Sequence, residues 1–110
     1  MRKCSIKFKS LILVIFLLIL FSLCSSGTTR EILWSFGTNG AIASSPRVDE
    51  GNLYIGSTDN YLYALRRDNG KLLWKYETEE GIISSPDVSG NNVYIGSTDS
   101  NLYALNKNTC

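Results

Sequence analysis

The chain of 110 residues is 44% hydrophobic and 19% charged, with a formal net charge of +1 and no histidine. This length suits one small domain. Four of the 11 basic residues and none of the 10 acidic ones lie in the N-terminal segment, which leaves the remainder at 7 − 10 = −3. A mildly acidic domain lacks the basic surface of nucleic-acid-binding proteins, so we expect no nucleic-acid partner.

Residues 1–26 predict an export signal peptide or a membrane anchor. Basic residues precede an uncharged apolar run of 13 residues at 11–23, and small residues follow at 24–27. This is the layout of an export signal, and the run is shorter than the roughly 20 apolar residues that a permanent span requires. Cys24 is a candidate for lipidation, although Leu23 stands where a small residue usually precedes a lipidated cysteine. A cleaved signal, an uncleaved anchor and a lipoprotein all stay open, and each predicts a chain that is periplasmic, on the cell surface or membrane-anchored.

After residue 27 the chain alternates between strand and turn segments. Runs rich in aromatic and branched residues predict strands, and clusters of Gly, Asn, Asp and Ser predict the turns between them. Pro46 lacks an N–H and suits a sheet edge, while Gly70 can take the positive φ of a hairpin turn. The predicted strands are 31–36, 41–48, 53–57, 61–66, 71–77, 82–88, 92–97 and 101–106.

The second half of this segment repeats the first at a fixed offset. Residues 31–70 and 71–110 align without a gap, and 19 of the 40 aligned positions are identical. A period of this size is typical of repeat proteins, and four short strands per repeat predict the blade of a β-propeller. No segment has the 3.6-residue period of a helical repeat. We therefore expect an all-β fold at 27–110, a partial propeller of two four-stranded blades that needs further repeats or oligomerisation to make a full ring.

One motif resembles a known family. Ala64, the turn glycine Gly70 and Trp74, ten residues after the alanine, are similar to the tryptophan-docking motif of pyrroloquinoline quinone (PQQ)-type propeller repeats. Arg66 and Asn69 depart from the Asp and Thr that are usual in this motif. The resemblance covers residues 31–110, and it implies that a set of structural residues docks one blade on the next: Trp34, Ala64, Gly70, Trp74 and Ala104. The alternative for the two tryptophans is a stacking platform for a ligand.

The resemblance leaves two functions open. PQQ-type repeats occur in quinone-dependent alcohol dehydrogenases and also in non-enzymatic scaffolds, including a lipoprotein that assists outer-membrane protein assembly. The dehydrogenases use a vicinal cysteine pair, which this chain lacks, and two blades cannot surround a central cofactor. We therefore expect a non-catalytic extracytoplasmic scaffold, structural or protein-binding, with no catalytic residue, cofactor or metal. The alternative is a piece of a PQQ-dependent dehydrogenase or of a propeller sensor domain.

Polar residues of the repeat have simpler interpretations than catalysis. Asp59 and Asp99 each follow Ser-Thr in a turn, where an aspartate bonds its own backbone. The serine pairs 44–45 and 84–85 have no histidine to activate them, and we interpret them as strand residues.

The ends of the repeat segment predict the partners. Cys110 replaces the turn glycine that aligns with Gly70, which favours either an intermolecular disulfide or a truncated third repeat in a fragment of a longer propeller protein. Residues 31–36 are an outer strand without a blade, and residues 82–106 are a blade without an outer strand. The expected partners are thus other protein chains or further blades, including copies joined head to tail by strand exchange, four of which would supply eight blades. Membrane contact is expected only through the N-terminal segment.

Overall fold

Two antiparallel β-sheets form the fold in this computed structural model, which describes residues 29–108. Both sheets belong to a compact unit that begins at Ile32. The all-β class and the partial propeller that the repeat predicts are confirmed. None of the described residues forms a helix with the length and apolar character needed to cross a membrane. The strands are β1 (Arg47–Asp49), β2 (Asn52–Gly56), β3 (Tyr61–Arg66), β4 (Leu72–Glu77), β5 (Asp87–Ser89), β6 (Asn92–Gly96) and β7 (Leu102–Asn106).

The first sheet, here called blade 1, is a meander in the order β1-β2-β3-β4. Tight turns join its strands, and their sharpest residues have positive φ: Gly51 at 83°, Asn60 at 80° and Gly70 at 72°. Glycine takes this conformation without strain, and Asn is among the residues that tolerate it best. The Asp and Gly turn signals of the sequence therefore correspond to real hairpins.

The second sheet, blade 2, has only three strands in the order β5-β6-β7. The pairing of β6 with β7 repeats that of β2 with β3, since Tyr94 faces Ala104 as Tyr54 faces Ala64. Strand β4 belongs by sequence to the second repeat but completes blade 1. Within residues 29–108 no fourth strand pairs with β7.

Three of the predicted strands are wrong in extent. Residues 31–36 are in no strand, because no described segment pairs with them, and the predicted strands at 41–48 and 82–88 shrink to β1 and β5. The predicted strand at 41–48 is shortened because the hydroxyl of Ser44 donates to the carbonyl of Gly56 and accepts from its N–H, both at 3.0 Å. A side chain thus takes the place of the backbone in the ladder, and Pro46 has no N–H to extend it.

The core lies between the two blades. Tyr54, Leu62 and Ala64 of blade 1 pack with Ile82 and with two residues of β6, Val93 and Ile95, and all are almost fully buried. On the opposite side of blade 1, Ile55, Tyr63 and Leu65 form a second cluster. Both faces of blade 1 are therefore apolar, as expected for a sheet stacked between neighbours.

Polar contacts join the blades at their margins. Arg47 of β1 and Asp87 of β5 form an ion pair at 3.1 Å. The N–H of Ile82 donates to the carbonyl of Ser57 at 3.0 Å. These contacts link blade 2 to blade 1 beside the apolar core.

Candidate functional site

The two tryptophans occupy equivalent positions in the repeat and make equivalent hydrogen bonds. The indole Nε1 of Trp74 donates to the carbonyl of Lys107 at 3.1 Å, and its ring lies 5.9 Å from that of Tyr54. The Nε1 of Trp34 donates to the carbonyl of Arg67 at 2.9 Å. A Cβ atom at Gly70 would lie within 2.4 Å of the Trp34 ring, so only glycine admits this contact. Trp74 therefore joins blade 1 to the segment after β7 in blade 2, whereas Trp34 and Gly70 join the segment before blade 1 to the turn between β3 and β4.

The two predicted alanines differ in their surroundings. Ala64 is completely buried and faces Trp74 across the β3–β4 ladder. Ala104 holds the equivalent place in β7 and is exposed, because no described strand lies opposite it.

An apolar groove opens on the outer side of blade 1, and we call it the front groove. Its volume is about 230 Å³. Trp34 and Phe36 form one wall, and Phe36 packs edge-on against Tyr63 with 5.4 Å between ring centroids. The lining residues are Trp34, Phe36, Ile42, Pro46, Leu53, Ile55 and Leu65. Apolar side chains left uncovered in a concave surface favour a binding site.

The other end of the pair presents the back face, defined by Tyr94, Leu102 and Ala104. Leu102 is 77% exposed, whereas Leu62, its equivalent in the first repeat, is completely buried. Beside this face, the outer edge of β7 is unpaired within the described residues. Unpaired edges bind added strands readily. Sequence reasoning found both open ends of the pair, but the groove needed the structure to define its lining.

Each Ser-Thr-Asp turn carries an aspartate–tyrosine pair. Asp59 accepts from the N–H of Tyr61 at 3.0 Å and from the hydroxyl of Tyr63 at 2.5 Å. Burial opposes ionisation of Asp59, but the bonds from Tyr63 and the backbone outweigh it, so the pKa of this carboxyl lies below its ordinary value. In the other repeat, the hydrogen bond from Tyr103 is the main cause that lowers the pKa of Asp99. The predicted turn role of both aspartates is confirmed.

The turn aspartates also hold the loops that precede each blade. Asp59 accepts from the N–H of Asn39 at 3.1 Å, and Asp99 accepts from that of Glu79 at 3.2 Å. Their oxygens are thus occupied by protein donors.

A buried cation between the blades was not foreseen from the sequence. The Nζ of Lys107 bonds Asp49 at 2.7 Å and Glu50 at 3.1 Å, and its side chain is only 8% exposed. Hydrogen bonds to Asp49 and Glu50 raise the pKa of Lys107. These partners lie 57 and 58 residues apart from Lys107 along the chain. No sequence pattern joins positions so distant, and only the stacking of the blades brings them together.

The described residues do not fit a quinone cofactor with its metal ion. Residues 29–108 contain no cysteine, and in this range no group of three His, Cys, Asp or Glu side chains is placed to hold a metal.

A family model of PQQ-type propellers, described as outer membrane protein assembly factor BamB, matches residues 24–110. The chain belongs to this family. No curated protein matches it significantly. BamB from Moraxella catarrhalis is 20% identical with a TM-score of 0.63, over 69% of this chain and 24% of that protein.

Two computationally designed proteins share the BamB-like fold of the chain. Ika4 is 18% identical with a TM-score of 0.65, over 74% of this chain and 51% of Ika4. Ika8 is 21% identical with a TM-score of 0.60, over 73% of this chain and 25% of Ika8. The chain thus spans about half of Ika4 and about a quarter of BamB and Ika8.

Some predictions lie outside the described residues. These are the export signal or anchor at 1–26, the lipidation candidate Cys24, and Cys110 with its two interpretations.

Proposed function

We propose that this chain is a non-catalytic, exported propeller segment that binds protein through the two open ends of its blade pair. The observation that carries the proposal is that residues 29–108 leave the front groove uncovered at one end and the back face uncovered at the other. Repeats that stack need neighbours to cover their apolar faces. Both ends therefore favour protein partners over small ligands.

The family supports a role outside the cytoplasm. The family model carries the description outer membrane protein assembly factor BamB. A protein assembly factor acts on other proteins and therefore binds them. The basic and apolar pattern of residues 1–26 supports export. A role in protein assembly at a membrane surface, with the chain attached to the membrane only through its N-terminal segment, agrees with both observations.

The partners in this proposal are further blades or other chains, including a second copy of this chain in head-to-tail strand exchange. No observation on the described residues favours the alternative of a dehydrogenase or sensor piece.

Photo-cross-linking tests the proposal in cells with an outer membrane. A photoreactive residue replaces Ile42, which lines the front groove and is 50% exposed. The matched control is Ile83, which is 57% exposed and does not line the groove. We expect protein adducts outside the cytoplasm from position 42 at several times the yield from position 83. Equal yields, or no adduct from position 42, would contradict the proposal.

A further inference from the structure

We infer that a second copy of this chain covers the back face and adds its residues 32–37 to β7 as a fourth strand. This inference rests on the proposed function and deepens it by naming the partner.

The interface between the blades supplies the template. Tyr54, Leu62 and Ala64 of blade 1 are completely buried there. They contact Val93 and Ile95 of blade 2, and Trp74 closes the contact against the Tyr54 ring. Three apolar residues of one blade packed on apolar residues of the next, with a tryptophan at the rim, thus make the blade-to-blade contact.

Both halves of this contact occur a second time in one chain, and no other part of residues 29–108 covers them. The back-face residues Tyr94, Leu102 and Ala104 repeat Tyr54, Leu62 and Ala64 without a change of residue type. The front groove repeats the receiving side, since Trp34 aligns with Trp74 and Ile55 with Ile95. The back face of one copy therefore has the chemistry to fill the front groove of another. This fixes a head-to-tail arrangement, which makes a ring if the rotation closes.

The ladder of blade 1 predicts the register of the added strand. In blade 1, Leu62 faces Tyr76 and Ala64 faces Trp74 across β3 and β4. Leu102 and Ala104 of β7 align with these two β3 residues, and Phe36 and Trp34 align with the two β4 residues. In the added strand, Leu102 therefore faces the partner copy's Phe36, and Ala104 faces its Trp34. The pairing covers the open edge of β7 and removes an aggregation hazard. Ile32 and Leu33, which are 81% and 82% exposed in one copy, then lie in a sheet.

Charge also matches at the junction. Inside the chain, Arg47 of blade 1 bonds Asp87 of blade 2 at 3.1 Å. At the junction these positions meet in the opposite sense, with Asp87 of one copy beside Arg47 of the next. The pair keeps opposite signs, so the contact meets no like-charge repulsion there.

A glycine makes room for the second copy. A Cβ atom at Gly56 would lie 2.2 Å from Ile82 of blade 2. The aligned Gly96 has only Ser84 within 4 Å, at 3.4 Å. In the head-to-tail contact, Ile42 of the next copy takes the place of Ile82, and Gly96 leaves that place free.

Disulfide trapping tests the register in the full chain, with its three native cysteines changed to serine. Gly37→Cys in one copy and Asn101→Cys in another occupy paired positions, as Glu77 and Tyr61 do in blade 1. Paired Cα atoms lie about 4.5–5.5 Å apart, within reach of a disulfide. Both sites are exposed, and a Cβ at Gly37 meets no atom within 4 Å, so we expect both variants to fold.

The control replaces Asn101→Cys by Asn106→Cys, another exposed asparagine five residues along, about 16 Å away on the extended strand. Co-expression of the two single-cysteine chains should give a mixed disulfide dimer at least tenfold more abundant for the 37/101 pair than for the 37/106 pair. No dimer, or equal yields, would overturn the inference. The cross-linking experiment tests the proposed function separately. Adducts of position 42 with other proteins, without a disulfide dimer, would support the proposed function and contradict the second copy. The absence of any adduct would contradict the proposed function itself.

Discussion

The hydroxyl of Ser44 bonds both backbone groups of Gly56, donating to its carbonyl and accepting from its N–H at 3.0 Å each. Ser84 repeats this with Gly96, at 2.7 Å to the carbonyl and 2.9 Å to the N–H. One side chain thereby continues the β-ladder by one position. This explains why the segment before each first strand follows the sheet without being a strand.

Ser44→Ala should destabilise the fold by about 2 kcal/mol, because it leaves two backbone groups of a buried residue without partners. Urea unfolding followed by tryptophan fluorescence measures the change. Ser45→Ala is the matched control, since that side chain is exposed and should change the free energy of unfolding by less than about 0.5 kcal/mol. An equal effect of the two substitutions would contradict the role of Ser44.

Gly56→Ala and Gly96→Ala should differ strongly although the residues are equivalent in the repeat. The added methyl group of Gly56→Ala meets Ile82 at 2.2 Å, whereas that of Gly96→Ala meets its nearest atom at 3.4 Å. Overpacking of this kind costs about 1–3 kcal/mol. In a single copy, only Gly56→Ala should lower the urea midpoint clearly. A larger loss at Gly96 in dilute, single-copy protein would be inconsistent with the blade packing described.

Trp74→Ala should cost about 3 kcal/mol, the low end of the range for truncating a large buried aromatic. Its ring is half-buried, packs on Tyr54 and donates a hydrogen bond to the next blade. Trp34→Ala is the matched variant and should cost less in a single copy, because no aromatic ring of the described residues packs on Trp34 as Tyr54 packs on Trp74. Chemical unfolding of both variants decides the order, and the reverse order would refute it.

Stability should fall in acid as the turn aspartates take up protons. The folded pKa of Asp59 and of Asp99 lies below the ordinary value of 3.8. The unfolded chain therefore binds protons first, so this stabilisation is present above about 3.8 and is lost as pH falls through the folded values. Tyr103→Phe removes the main cause at Asp99 and should flatten the acid limb of unfolding free energy against pH. An unchanged slope in that variant would count against the pair.

Much of the fold could be predicted from the sequence, because hairpins have local signals. The strand predicted at 61–66 matches β3 in full, and the one at 92–97 matches β6 within a residue. Both predictions succeed because each apolar run and the turn residues that bound it are close together in the sequence. The sequence also indicated that β4 completes the blade of the preceding repeat, because 31–36 had no blade and 82–106 had no outer strand.

What could not be predicted depends on contacts made only after the blades stack. The bond of Ser44 to Gly56 replaces a backbone pair by a hydroxyl, and no local pattern distinguishes it from a strand. The burial of Lys107 between Asp49 and Glu50 joins separate blades. The front groove forms only when the sheet brings its lining residues together and Trp34 docks beside them.

The most direct test of the account is the molar mass of the purified full chain in solution, measured by light scattering over a range of concentrations. Wild type should show two or more times the single-chain mass. Gly96→Ala should remain folded and shift to the single-chain mass, because its methyl group takes the place of Ile42 of the next copy. A single-chain mass for wild type at every concentration, or an unchanged mass for Gly96→Ala, would contradict the claim that the open ends of the blade pair are interfaces between copies.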